Sequence, residues 1–189
     1  MTGPTAGSPD TGPLDDATLV ARARDGDAAA FEQLLDRYQA PLYRLAVRML
    51  ADRAEAEDVV QEVFLRLWRR LPEIREDAAV VGWLYRSATN RCLNVIRARR
   101  PVADVDLDER EATGTPLPER AAETAQALTA LGSALQRITP EQRAAWLLRE
   151  VHERSYAEIA DILGTSVVAV RGRIARSRAE LAEAMQSWR

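Results

Sequence analysis

The run Ser155-Tyr156-Ala157-Glu158-Ile159-Ala160-Asp161-Ile162-Leu163-Gly164-Thr165-Ser166-Val167-Val168-Ala169-Val170-Arg171-Gly172-Arg173-Ile174 spells a helix start, a helix stop and a second start in quick succession. Ser155 and Glu158 have the S-x-x-E spacing of a capping box, in which each side chain satisfies an otherwise orphaned amide. Ile159, Ile162 and Leu163 then point inward from a short helix. Gly164 stands where that helix must stop, because glycine accepts the positive φ of a sharp turn without a Cβ clash. Thr165 or Ser166 caps the next helix, whose Val167, Val170, Ile174 and Leu181 recur at helical spacing. Ala160 is small enough to let the two helices cross closely. Short helix, glycine turn and second helix form the pattern of a helix-turn-helix.

The outer side of the second helix carries the chemistry. With 100° per residue, Val170, Ile174 and Leu181 gather on the buried side. Val168, Ala169, Gly172, Arg173, Ala175 and Arg176 cover the opposite side, and Arg171 and Arg178 flank it. A merely solvated face would favour Glu, Lys or Gln, whereas these small residues permit close approach to a groove. Arg171 and Arg176 are candidates for base-edge or phosphate contacts, within a DNA-facing set of Ser166, Val168, Ala169, Arg171, Gly172, Arg173 and Arg176. Arg149, on the preceding helix, is placed either for a DNA backbone contact or for a salt bridge with a nearby carboxylate. The competing reading of the segment is a helical hairpin with a solvated, arginine-rich face.

Working outward, helices are expected at about Thr124 to Arg137 and Pro140 to Val151. Before them, 101–123 holds many acidic residues, only two arginines, three prolines and Gly114, the composition of an extended acidic linker. Further upstream, a short helix carries Leu19 and Val20 and ends at Asp25-Gly26-Asp27. A long amphipathic helix from Ala28 to about Leu50 is expected to kink or break at Pro41. A third runs from about Arg53 to Arg70 and a fourth from about Val81 to Arg99. Residues 1–13 read as a disordered tail. No alternating run makes a convincing strand, so the chain is expected to be all-α: helical domain (14–100), acidic linker (101–123), helical domain (124–189).

The fourth helix bears a second basic surface. Trp83 to Arg100 contains five arginines and no acid. Leu84, Ala88, Cys92, Val95 and Ile96 share one side, while Trp83, Arg86, Asn90, Asn94 and Arg97 share the other. Cations beside an aromatic ring suit unpaired nucleic acid, whose backbone they hold and whose bases the ring can stack on. Trp83 has the alternative of folding back beside Val80. The third helix differs: Asp58, Glu62, Leu65 and Arg69 face away from Val59, Val60, Val63, Phe64 and Leu67, with Gln61 at the edge. Its carboxylates would repel phosphate, so the face suits a protein partner, the alternative being simple solvation.

Composition sets the outer limits. The 189 residues carry 26 basic groups, all arginine, and a net charge of −3, so a DNA-binding role depends on how charge is segregated along the chain. With the abundant alanine, the absence of lysine suggests a GC-rich genome. One cysteine, Cys92, and one histidine, His152, cannot build a structural zinc site, which takes four such ligands. No cofactor is expected. Neither a nucleophile–base pair nor a phosphate loop is visible, so an enzyme is not expected. No apolar run approaches a membrane span, and no signal peptide opens the chain; a cytoplasmic protein without membrane insertion is expected.

Together these stretches resemble the extracytoplasmic-function (ECF) group of bacterial RNA polymerase sigma factors. Asp58-Val59-Val60-Gln61-Glu62-Val63-Phe64 is similar to the family's D-x-x-Q-E-x-F motif. Trp83-Leu84-Tyr85-Arg86 through Ala88-Thr89-Asn90-Arg91 is similar to its W-L-x-x-I-A-x-N segment, and Pro140-Glu141-Gln142-Arg143, Ser155 to Ala160 and Ser166 to Arg178 to its domain four. The resemblance implies that sigma domains two and four are joined by the linker, and that Asp58, Gln61, Glu62 and Leu65 dock on core RNA polymerase. It further implies that the fourth helix and the loop from Pro72 to Val80 open the −10 element of promoter DNA and hold a flipped base. The last long helix would then read the −35 element, and the acidic linker would thread a basic channel of the polymerase. Because family members are commonly held inactive by an anti-sigma factor, the resemblance adds one to the expected partners. Val168-Ala169 stands where many relatives have Gly-Thr, Gly172 replaces a common Ser, and the loop before Val80 lacks the usual aromatic. A stand-alone helix-turn-helix regulator is the alternative, but it needs neither a polymerase-docking face nor a long acidic tether.

Overall fold

The computed structural model describes residues 14–99 and 119–186, and of 119–125 the backbone alone. The expected N-terminal tail, 1–13, and the expected linker as far as residue 118 lie outside the described residues. The rest is helical, with no strand among the described residues. The helices are α1 (Asp16–Arg24), α2 (Ala28–Leu50), α3 (Arg53–Arg70), α4 (Val80–Ala98), α5 (Glu119–Arg137), α6 (Pro140–Glu150), α7 (Tyr156–Leu163) and α8 (Val167–Ala184). Two short 3-10 turns, Leu71–Glu73 and Asp77–Ala79, join α3 to α4. Helix α5 begins at Glu119 and so overlaps the last residues of the expected linker.

Polar side chains set the helix starts. Asp15, Asp27 and Asp52 accept the N3 amides of α1, α2 and α3, each cap worth about 1 kcal/mol. Thr139 with Gln142 and Ser155 with Glu158 form complete capping boxes on α6 and α7. The expected break at Pro41 does not occur: α2 runs unbroken through it. Pro41 lacks the amide that would bond the Arg37 carbonyl and its ring crowds that carbonyl, but Leu34, Tyr38, Leu42 and Leu45 are buried on both sides of it, so packing holds the helix across the gap.

Helices α1 to α4 close around Leu34, Leu45, Met49, Leu67 and Leu84, all fully buried. Arg24 ties α1 to the loop before α4, donating to the Asp77 carboxylate at 2.5 Å and to the Ile74 carbonyl at 2.9 Å. Tyr38 and Arg37 both donate to Asp16. In the second half, α6 lies across α8, where the buried Ser177 hydroxyl donates to the Gln142 carbonyl at 3.1 Å. Leu147, Leu148, Ile159 and Ile174 fill that core, each worth roughly 1.5–3 kcal/mol of burial.

The two halves pack on each other. Helix α4 rests on α6 and α7, and α2 rests on α5 and α6. The C-terminus of α2 is a focus of this contact. Arg99 donates to the Leu50 carbonyl at 2.9 Å, Gln136 to the Arg48 carbonyl at 3.1 Å, and Arg143 to the Met49 carbonyl. Three successive carbonyls left over at a helix end are thus satisfied by side chains, two of them from the other half, and cations suit the negative end of the helix dipole.

Candidate nucleic-acid interface

Helix α8 presents the face its periodicity predicts. Gly164 adopts φ +60° and ends α7; Ser166, not Thr165, caps α8 through the Ala169 amide at 3.1 Å. Val170, Ile174, Ser177 and Leu181 are buried, whereas Val168 is 77% exposed. Arg171 and Arg176 are exposed, while Ala169, Gly172 and Arg173 are half-buried. Tyr156 organises one end of this surface, with the guanidinium of Arg171 5.5 Å above its ring and that of Arg149 at 5.0 Å. Arg149 makes no carboxylate salt bridge among the described residues; it donates to the Arg154 carbonyl at 3.0 Å. Arg178, on the flank, is paired with Glu150 at 2.6 Å.

Helix α4 is more encumbered. Of its arginines, Arg91 pairs with Glu62 at 2.5 Å and Arg99 with Glu55, so both lean onto α3. Arg97 donates to Asn94 at 3.1 Å and lies 3.7 Å from Glu141 of α6. Arg86 and Asn90 are exposed. Trp83 is half-buried against the core beside Val80 and lines a cavity of about 330 Å³ with Arg70, Glu73, Ile74, Arg75, Glu76 and Ala79. The Arg70 guanidinium stands 5.9 Å from its ring. An aromatic ring beside two arginines can stack on a planar, unstacked base, while Glu73 and Glu76 on the same rim turn phosphate away.

Along α3, Asp58, Gln61 and Leu65 are exposed, Leu65 to 48%. Glu62 behaves differently, being held between Arg66 and Arg91 at 2.5 Å each. The same stripe continues to Trp68, 46% exposed and edge-on to Phe31 with ring centroids 4.8 Å apart. Trp68 was legible as the next position, i+3 from Leu65, but an aromatic at a helix end reads equally well as core.

Comparison with known proteins follows the same division. The Sigma-70 region 2 model matches residues 34–102, and the Sigma-70 region 4 model matches 128–181. The chain is 36% identical to the RNA polymerase sigma-H factor of Pseudomonas aeruginosa over 181 residues, covering 90% of this chain and 94% of that one. It is also 36% identical to the ECF RNA polymerase sigma-E factor of Escherichia coli, covering 87% and 91%. This chain belongs to the ECF sigma factors. Among solved structures, CnrH in complex with the cytosolic domain of CnrY superposes with a TM-score of 0.70 at 29% identity, covering 91% of this chain and 97% of that one. The sigma factor RpoE of Bartonella quintana, solved with the anti-sigma factor NepR, shares the fold at 22% identity and a TM-score of 0.66, covering 82% and 96%.

For this ECF sigma factor, no helix among the described residues is long and apolar enough to cross a membrane. Among the same residues no cluster of three or more potential metal ligands occurs. Cys92 is buried, and burial pushes its thiol up to about 12, which keeps it protonated and inert at neutral pH.

Proposed function

We propose that this ECF sigma factor, in the bacterial cytoplasm, joins core RNA polymerase and directs it to promoters by reading DNA with two separate helix faces. The observation that carries this reading is the pair of arginine-bearing surfaces, on α4 and α8, one in each sigma region. Val168, Ala169, Gly172, Arg171, Arg173 and Arg176, with Ser166 at the cap, form the −35 surface; Arg149 steadies Tyr156 beside it. Trp83, Arg86, Asn90, Asn94 and Arg97 form the −10 surface, with the Trp83–Arg70 cavity receiving the flipped base. Two such surfaces bind weakly apart and tightly when a shared scaffold fixes their spacing.

Docking on polymerase falls to the α3 stripe of Asp58, Gln61 and Leu65, extended by Trp68. An exposed leucine and tryptophan rimmed by a carboxylate and an amide make an apolar centre with a polar edge, the usual anatomy of a protein interface. Glu62 contributes through its two arginines, which it holds in place. We further assign the chain's working parts as 14–100 for polymerase and the −10 element and 124–189 for the −35 element, tethered by the acidic segment. An anti-sigma factor is the expected antagonist, supported by the solved relative held by one. The protein acts by binding, with catalysis left to the polymerase. Run-off transcription with cognate core on genomic fragments tests the proposal: specific initiation only when the protein is added is expected, and no initiation would overturn it.

A further inference from the structure

Val168 is the most exposed large apolar side chain among the described residues, ahead of Leu128, Leu65 and Trp68. It packs no core, since α8 fills its core from the other side with Val170, Ile174 and Leu181. Helix propensity gives no reason for it either, because a β-branched residue is a weaker helix former than alanine or arginine. At 100° per residue, Gly172, Ala175 and Ala179 lie within about 40° of Val168 around the helix. No side chain on that ridge stands taller than the valine. Arg171 borders the ridge on one side and Arg176 on the other.

The two arginines are free to meet DNA. The salt bridge of α8 among the described residues is that of Arg178 with Glu150, which leaves Arg171 and Arg176 without a carboxylate. Arg171 is held beside the Tyr156 ring. The Arg176 guanidinium folds back along the helix, with Nη2 3.9 Å from where a Cβ on Gly172 would stand. That brings its charge to the level of Gly172, one turn from Val168. An apolar tip thus stands between two cations at the start of α8.

We infer that Val168 selects a thymine in the −35 element, by packing its isopropyl group against the C5 methyl in the major groove. The inference rests on the α8 assignment made above and deepens it. In a helix-turn-helix the N-terminal residues of the second helix meet the base edges, and Val168 is the second residue of α8. Among the groups that bases display in the major groove, the thymine methyl is the apolar one. The valine side chain has neither donor nor acceptor, so it cannot bond guanine O6 and N7 or the adenine N7 and amino group. Against cytosine it would strip water from the N4 amino group without replacing the lost bond. Gly172 and Ala175 carry too little side chain to hold the helix off the groove, and Arg171 and Arg176 draw in the flanking phosphates or guanines. Burying one methyl group in this way gives about a three- to fivefold preference.

The test uses the protein with its cognate core polymerase, on a genomic template that the pair transcribes. Each thymine of the −35 segment, on either strand, is replaced in turn by deoxyuridine, which lacks only the C5 methyl. One replacement is expected to lower promoter occupancy at limiting holoenzyme about three- to fivefold. Val168→Ala should show that lower occupancy already with thymine and lose nothing more with deoxyuridine. At the same position, 5-methylcytosine should bind more tightly than cytosine in the wild type and equally in Val168→Ala, because the methyl group is what is read. An unchanged thermal midpoint for Val168→Ala separates these effects from misfolding. A −35 segment without thymine, or one in which no methyl effect vanishes in Val168→Ala, would overturn the inference and leave α8 as the −35 reader. Equal occupancy after the whole −35 segment is scrambled would sink the α8 assignment and the inference with it.

Discussion

The two DNA-facing helices of this sigma factor solve opposite problems. Helix α8 was built by local rules: a cap at Ser166, a glycine stop before it, a buried stripe on one side and small residues with arginines on the other. Nearly every part of it is set within a few residues of chain. Helix α4 owes its character to partners far away. Two of its arginines belong to glutamates of α3, a third lies beside α6, and its second flank is buried under α7. A face assembled from short-range signals can be read residue by residue, while one shaped by long-range contacts cannot.

The sharpest way to break that contrast is to damage each face separately. Arg176→Ala removes an exposed α8 cation, and a lost base or phosphate contact of this kind costs about 1–3 kcal/mol. We expect transcription from promoters with a −35 element to fall roughly ten- to a hundredfold, with the thermal midpoint unchanged. Equal loss on templates lacking that element would count against the α8 assignment. On α3, Asp58→Arg leaves no broken ion pair among the described residues, so it should abolish co-purification with core while the protein stays folded. Unaltered co-purification would remove Asp58 from the docking face.

Legibility followed the same divide. From the sequence, α3 and α7 could be placed to the residue and the helix-turn-helix recognised, because caps, glycine stops and hydrophobic periods are local. Ion pairs such as Glu62–Arg91 and the contact of Arg143 with the α2 terminus join residues far apart in the chain, and no period announces them. The unbroken course of α2 past Pro41 was missed for a related reason: local propensity argued for a break, and tertiary packing outweighed it. The exposed basic face of α4 was half legible, since its arginines were visible but their partners were not.

Two smaller substitutions sharpen the comparison. Gly164→Ala forces a Cβ into a left-handed turn at φ +60°, costing about 1 kcal/mol. In a domain this small that lowers the midpoint by about 5 °C and loosens α8 more than α4, which amide exchange would resolve by helix. Arg91→Ala breaks a half-exposed pair with Glu62, worth about 0.5 kcal/mol. Because Arg91 faces α3, we expect a slight loss of stability and a weaker effect on −10 opening than Arg86→Ala. A larger effect on opening from Arg91 would place it on the DNA surface.

The smallest effect concerns the seam between the halves. Burial, with Arg44 and Arg48 of α2 and Arg154 nearby, holds the His152 imidazole down at about 4 from its usual 6.5. Its neighbour on α4 is the Tyr85 hydroxyl, at 3.4 Å, so no carboxylate offsets the arginines there. The packed state therefore binds the proton less well than a state with His152 in water. Stability from neutral His152 is complete above about pH 6.5 and is lost as pH falls towards 4, where the packed form is protonated too. Since His152 is only partly buried, the change between pH 7.5 and 6 is a few tenths of a kcal/mol. The thermal midpoint should drift lower over that range, and His152→Gln should flatten the drift because glutamine does not titrate. A drift that survives the substitution would assign the pH response to another group and leave His152 as packing alone.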